Sequence, residues 1–466
     1  MAARTDGFGE RLKAILKAMV LAEAFDGEFR FHWLQNDTLE QQHHVIAHRE
    51  DIFSPDFLAA YHEDRYEKSR FKTLRPPKQP LAKFQAFIAA SPAGVLLNQE
   101  PLSSLIEGGL EDLPGRMAIA FRRIGFTEAL REAMAAAYNA VLPANAVALH
   151  LRAGDTIYGR YRFSNKAAHK ALCYPIAKST ISDLLANGQY PLIFGQDAVT
   201  CRLLADRFGL PLATDLLPPD LSNMASVLCE IVLMSRCQEI RAAGSGFAAV
   251  ASWIGGIPLY NSQRVRHPAK LAKIILEDNE LDDPNSALPS LQRSFAYFVV
   301  TGLGVSEMDD SVLIDIFTKA LRYDPGNAFY SLRKAELQAR NGDLAAAEAT
   351  LKQAVYANAV MPKDPLRLVL QLDAVTDTTV GPLNLTGYLN QLAVAGDITR
   401  PFTAYVAALN AEILRQPHKV RQMAELAVKG APHDAILKDL IVKLPTISRQ
   451  EVTPSREVPS IYEDFR

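Results

Sequence analysis

At 466 residues the chain exceeds what one compact core holds, so two or three domains are expected. A hydrophobic share of 48%, a charged share of 22% and a formal net charge of −2 describe an ordinary globular protein. They exclude a general nucleic-acid binder, which carries a strong basic excess.

Four cysteines spaced 28, 28 and 8 apart (Cys173, Cys201, Cys229, Cys237) match neither a disulfide framework nor a zinc pattern, and read as reduced thiols. The apolar stretch 12–25 is broken by Lys13, Lys17 and Glu23, so no export signal is expected. Nowhere do about 18 apolar residues run uninterrupted, which leaves no membrane span and makes the cytoplasm the expected location.

In chain order, Asp6-Gly-Phe-Gly-Glu-Arg11 precedes the first amphipathic pattern, in which Leu12, Ile15, Leu16, Met19 and Val20 recur at helical spacing. Gly7 and Gly9 free the backbone to approach an anion at the helix start; a tight strand-to-helix turn is the equal alternative. Gly27 stops the helix, and residues 28–33 alternate like a strand. Residues 39–83 are polar and irregular. His44 and His48 can share a helix face, but no third ligand accompanies them, so a solvated surface is expected and no metal. Residues 75–81 read as an extended loop, and a helix over 127–141 leads to Pro143.

Ala146-Val-Ala-Leu-His-Leu-Arg-Ala-Gly-Asp155 is a short apolar run between Pro143 and Gly154, which suits a buried strand. His150, Arg152 and Asp155 then fall at its carboxyl end, the edge where open α/β sheets bind ligands. Further strands are expected at 191–194, 210–213, 238–242 and 257–260, alternating with helices at 175–187, 199–208 and 224–235. An apolar helix begins in Ala243-Gly-Ser-Gly-Phe247 and stops at Gly255-Gly256. This alternation predicts a parallel, doubly wound sheet.

Three strand ends therefore converge: His150/Arg152/Asp155, Gln196/Asp197 and Ser245/Gly246/Phe247. The planar, permanently charged fork of Arg152 suits a pyrophosphate, and a helix starting at Ser245 offers free N–H groups to a phosphate. From His150 to Lys178 there are six Lys/Arg and one carboxylate (6 − 1 = +5), which favours a polyanionic ligand. The plainer alternatives are a weak Arg152–Asp155 surface pair, and Asp197 and Ser245 as helix caps alone.

Residues 264–289 turn charged and Pro/Asn-rich, a linker pattern, and the chain beyond is helical. Ala320 and Ala354 stand 34 apart, with Asp324-Pro-Gly-Asn327 and Asn341-Gly-Asp343 as turns. This resembles a tetratricopeptide repeat, with weaker echoes at Ala395-Gly-Asp397 and Ala427-Val-Lys-Gly-Ala-Pro432. The 446–466 stretch reads as a polar tail.

His150-Leu-Arg-Ala-Gly-Asp155 also resembles the His-x-Arg-x-x-Asp region of the GDP-fucose-dependent fucosyltransferases, a superfamily that includes the α1,2-, nodulation-type α1,6- and protein O-fucosyltransferases. Gly7-Phe-Gly-Glu-Arg-Leu12 is similar to its Gly-x-Gly-x-Arg-Leu segment, and residues 233–247 to its later Ser-Ser-Phe-type segment. The resemblance implies an α/β chain of GT-B type: a pair of Rossmann-type domains, here 1–142 (acceptor side) and 143–265 (nucleotide-sugar side). A linker (266–295), a tetratricopeptide-like array (296–445) and the tail follow.

It further implies inverting, metal-independent transfer, with GDP-fucose or a related nucleotide sugar as donor and a glycan or protein hydroxyl as acceptor. On that basis Arg152 holds the β-phosphate, and His150, Asp155, Asp197, Ser245, Gly246 and Phe247 line the donor pocket. Gly7, Gly9 and Arg11 reach towards the sugar, and Glu10 is the positional candidate for the base. The helical region is expected to be separable from donor binding, and to bind a protein partner or position the acceptor. The competing expectations are another nucleotide sugar, or an inactive scaffold.

Overall fold

The computed structural model describes residues 1–445 except 5, 35–45, 66, 74–77, 92, 98–101, 304–307, 362–363 and 376–398. His44, the Ala395-Gly-Asp397 turn, the 446–466 tail and part of the 75–81 loop lie outside the described residues. The protein is a mostly helical α/β chain with parallel sheets.

The first part opens with β1 (Ala2–Arg4), α1 (Phe8–Ala24) and β2 (Phe31–Trp33). Strands β1 and β2 pair in parallel, and β1 precedes the glycine pair. Helices α2 (Arg49–Ile52) and α3 (Pro55–Tyr61), strand β3 (Lys72–Thr73), α4 (Leu81–Ala89), β4 (Val95–Leu96) and α5 (Leu102–Leu105) follow. Parallel bridges Ala2–Leu97 and Phe31–His62 extend the β1–β2 ribbon on both sides. His48 stands at the start of α2. Helices α6 (Leu113–Arg123) and α7 (Glu128–Asn139) close this part.

The second part is a four-stranded parallel sheet in the order β6-β5-β7-β8, built from β5 (Ala146–Leu151), β6 (Tyr190–Gly195), β7 (Glu239–Ala242) and β8 (Leu259–Asn261). All six β5 residues are buried, which is why the strand reads as a continuous apolar run. Its helices are α8 (Gly154–Ile157), α9 (Tyr174–Ala186), α10 (Ala198–Phe208), α11 (Asn223–Ser235) and α12 (Gly246–Gly255). The strand expected at 210–213 is reduced to one bridge, Leu212 to Ile193, followed by a 3-10 turn. Pro211 lacks the N–H that a paired strand needs.

The 266–295 segment, expected as a linker, instead carries α13 (Pro268–Leu276) and the start of α14 (Ser290–Gly302). Leu271, Ile275 and Phe295 are almost fully buried. The prolines and aspartates that suggested an open connection are helix starters: Pro268 occupies the first turn of α13, Pro289 precedes α14, and Asp278 caps a 3-10 turn. Helices α15 (Asp310–Tyr323), α16 (Ala328–Arg340), α17 (Leu344–Ala359), α18 (Pro365–Val375), α19 (Pro401–Ile413), α20 (Pro417–Gly430) and α21 (Ala435–Val442) complete the chain. Asn327 and Asp343 cap α16 and α17 through their side chains.

The sheet separates two apolar cores. Ala148, Phe194, Ile240 and Ala242 join the core of the first part through α11 and α12. Leu149, Leu151 and Ile193 join a core that continues through α14 to Leu444. The helical region therefore shares its core with the sheet, against the expectation that it is a separable extension.

Candidate functional site

The order β6-β5-β7-β8 places chain-neighbouring β6 on one side of β5 and later β7 on the other, so the topological switch lies between the carboxyl ends of β5 and β7. Ligand crevices of open α/β sheets form at that point. Arg152 follows β5 there, and α12 starts there after β7. Its Nε and Nη2 donate to the two oxygens of Asp155 at 3.2 and 2.8 Å, and Nη1 lies 3.4 Å from the Gly244 carbonyl. The Arg152 side chain is 21% exposed and Asp155 only 7%, so the buried carboxylate orients a partly exposed guanidinium from beneath.

His150 points to the opposite side of β5 from Leu149 and Leu151 and stacks on Phe247, with ring centroids 5.6 Å apart at 20°. Its Nδ1 is buried with no hydrogen-bond partner among the described residues. Burial, reinforced by the nearby Arg152 charge, pushes the imidazole down to about 4, so it is neutral near pH 7. Ser245 accepts from the Ala248 N–H and caps α12.

Helix α1 brings its first turn directly against that cap. A Cβ on Gly9 would stand 2.8 Å from the Phe247 nitrogen, so glycine is required for this approach. Gly7 is the N-cap residue of α1, with extended backbone. The Glu10 carboxylate rests against Gly246, and Lys13 donates to both its oxygens at 3.1 and 3.0 Å. Lys13 also stands 5.8 Å from the Trp253 ring centre on α12. Gly9, Glu10, Gly246, Phe247 and His150 thus lie together, with Gly7 close by at the N-cap of α1.

Two expected site residues are engaged elsewhere. Arg11 is buried inside the first part, donating to the carbonyls of Asp6 (2.7 Å) and Leu34 (2.6 Å), with its guanidinium 4.7 Å over the Trp33 ring. Burial, with Asp6 partly opposing it and Arg4 adding to it, lowers its pKa to about 10. It ties α1 to the ends of β1 and β2 and does not face the switch point. Asp197 caps α10 through the Thr200 N–H (3.1 Å) and hydroxyl (2.7 Å), and accepts from Tyr158 and from Gln292 (2.7 Å). Burial alone would raise its pKa; these donors outweigh it and hold the carboxyl below the usual range.

The local excess of positive charge is also answered from within. Lys178 pairs with Asp278 (2.5 Å) and Glu280 (2.9 Å), Arg162 lies 3.6 Å from Asp324, and Lys170 sits 4.4 Å over the Tyr161 ring. Those acids come from α13–α16 territory and were invisible in a window of local sequence. Lys13, Tyr158 and Gln292 were likewise missed; the usable signals were a lysine one turn after Glu10 and a polar residue inside an apolar helix. Among the described residues, no group of three or more His, Cys, Asp or Glu is placed to hold a metal, and no helix is long and apolar enough to cross a membrane.

No family model matches the chain, and no curated protein matches it. Among solved structures it is similar to POFUT1 in complex with GDP, at 10% identity and TM-score 0.28, over 55% of this chain and 95% of that one. It is also similar to the POFUT1 apo-form (10%, TM-score 0.30, 55% and 94%) and to POFUT1 in complex with GDP-fucose (11%, TM-score 0.28, 55% and 95%). At this distance the likeness assigns no residue a role.

Proposed function

We propose that the protein is a glycosyltransferase that uses a nucleoside-diphosphate sugar, with GDP-fucose as the leading donor. The observation that carries this reading is the Arg152 guanidinium: braced by buried Asp155, 21% exposed, and standing at the β5/β7 switch point beside the start of α12. A fixed, always-charged fork beside a helix start is suited to a diphosphate and to the charge that develops as the diphosphate leaves.

In this reading residues 1–142 and 143–265 form a GT-B-like pair, and residues 296–445 a tetratricopeptide-like array that presents a partner or acceptor surface. The stacked His150–Phe247 pair forms an apolar wall of the donor pocket. Glu10, held by Lys13 beside Gly246, takes the acceptor proton as the sugar is transferred with inversion. No resident metal is required, because Arg152 and the α12 start carry the negative charge.

Calorimetric titration with GDP, UDP and ADP tests the donor. GDP binds the protein, and Arg152→Ala weakens it by about 100-fold, the scale of removing one charged hydrogen-bonding group from a phosphate. Equal GDP binding by both proteins, or binding by neither, would remove the assignment. Glu10→Gln lowers transfer rate while leaving GDP affinity within about twofold; unchanged transfer would exclude Glu10 as the base.

A further inference from the structure

Capping α10 requires of Asp197 only the Thr200 N–H, yet its carboxylate gathers donors from two other elements. Tyr158, which ends the α8 turn, donates from one side. Gln292, on α14 and 3% exposed, donates from the other at 2.7 Å. The same short turn carries Asp155, which braces Arg152. Helix α14 also meets the neighbouring 3-10 turn Asn165–His169 at close range: a Cβ on Gly302 would lie 2.5 Å from that of Ala168. Four donors thus converge on one buried carboxylate and join β6–α10, α8 and α14 at a single point. A carboxylate removed from water keeps its charge only when so satisfied, so the cluster is rigid by necessity.

We infer that Gln292, acting through Asp197 and Tyr158, is a positioning residue for Arg152, so that α14 sets the α8 turn and with it the geometry of diphosphate capture. The inference rests on the diphosphate reading for its ligand, but its structural half is independent of any ligand. It assigns the helical region a role inside the donor site: a chain whose α14 is not seated presents Arg152 on a loose turn. Arg152 supplies the charge, Asp155 aims it, and Asp197 with Tyr158 and Gln292 fixes the turn from which Asp155 aims.

The test uses the full-length chain and two variants of unchanged size, Gln292→Met and Tyr158→Phe, each removing one donor. Both weaken GDP binding about five- to tenfold, and less than about twofold when made in an Arg152→Lys background, where the paired fork is already lost. Equal losses in both backgrounds would mean general destabilisation and overturn the inference. Amide hydrogen exchange reads the same coupling without nucleotide. The amides of Ile157, Tyr158 and Gly159, bonded to Ala153 and Gly154 carbonyls, lose about tenfold in protection while that of Leu271 in α13 holds.

Unchanged protection at 157–159 overturns the inference even if GDP binds. If the wild type binds no GDP but the variants loosen 157–159, the diphosphate reading fails and the positioning role stands. Gln292→Glu supplies a further signature: two facing carboxyls share a proton as pH falls, so protection at 157–159 recovers on acidification, whereas Gln292→Met shows no such recovery.

Discussion

The two faces of the β6-β5-β7-β8 sheet carry different duties. One face, with Ala148, Phe194, Ile240 and Ala242, packs through α11 and α12 towards the first part of the chain, and on this side His150 stacks on Phe247 beside the start of α1. The other face, with Leu149, Leu151 and Ile193, packs on helices that continue through α14 into the C-terminal array. The first face holds polar groups in tight quarters, including an unpartnered imidazole nitrogen. The second is closed by aromatic contacts such as Phe298 on Phe329 and Tyr330, and its buried polar groups, Asp197 and Gln292 among them, are paired with one another. A strand buried on both sides is thus a shared wall, and its carboxyl end belongs to both cores.

The largest effect that would break this contrast is removal of the second side. Ending the chain at residue 289 strips Phe295, Phe298 and Val299 from the sheet's helical face. Each such side chain is worth about 1.5–3 kcal/mol of burial against a total stability of about 5–15 kcal/mol, so the fragment is expected to lose its cooperative fold. Circular dichroism on heating reads this, and a fragment that melts sharply and binds GDP would make the helical side an accessory after all.

Next is acid, which acts on the first face. His150 titrates at about 4 in the folded chain and at its ordinary 6.5 when unfolded. The unfolded state therefore takes up its proton first, so the contribution is complete above pH 6.5 and is lost as pH falls towards 4, about 3 kcal/mol in all. Burial raises Glu230 to about 7, with the opposite sign: its contribution is complete below its ordinary 4.5 and lost as pH rises towards 7. The two slopes oppose each other between pH 4.5 and 6.5. Urea unfolding at several pH values is therefore expected to be steeper in acid for Glu230→Gln, and to lose the His150 slope in His150→Phe.

Smaller again is Gly9→Ala. Helix propensity favours alanine, but its Cβ would press on the Phe247 backbone, giving a net loss of about 1–2 kcal/mol and weaker GDP binding. A more stable variant would show that α1 and α12 separate freely. The smallest is Asp343→Ala, which removes the cap of α17 for about 1 kcal/mol and leaves GDP affinity unchanged. It marks how far from α14 the coupling to the ligand face has faded.

Much of the sheet was legible in the sequence, because β5 and β6 are short apolar runs, β7 alternates charged and buried positions, and strand 146–151 was read to its ends. His150 and Phe247 could be read together because the ends of β5 and β7 meet at one edge of one sheet, whereas Gly9 and Glu10 follow β1 in a separate sheet and only the resemblance placed them there. Arg11 and Asp197 were misread because a charged residue at a strand end looks alike whether it faces solvent or an internal partner. Only the carbonyls of Asp6 and Leu34, and the side chains of Tyr158 and Gln292, decide the matter. Residues 266–295 were misread because helix starts and linkers share prolines and aspartates.

The contact between Gly9 and Phe247 has a consequence for biosynthesis. The chain leaves the ribosome amino end first, so α1 emerges long before the segment its first turn must meet. Until α12 has been made, the buried face of α1 lacks that cover, and the nascent chain depends on β1, β2 and their neighbours to keep it from other hydrophobic surfaces. Slowing translation between residues 25 and 247 therefore prolongs the stage at which the chain is open to aggregation and to holding chaperones.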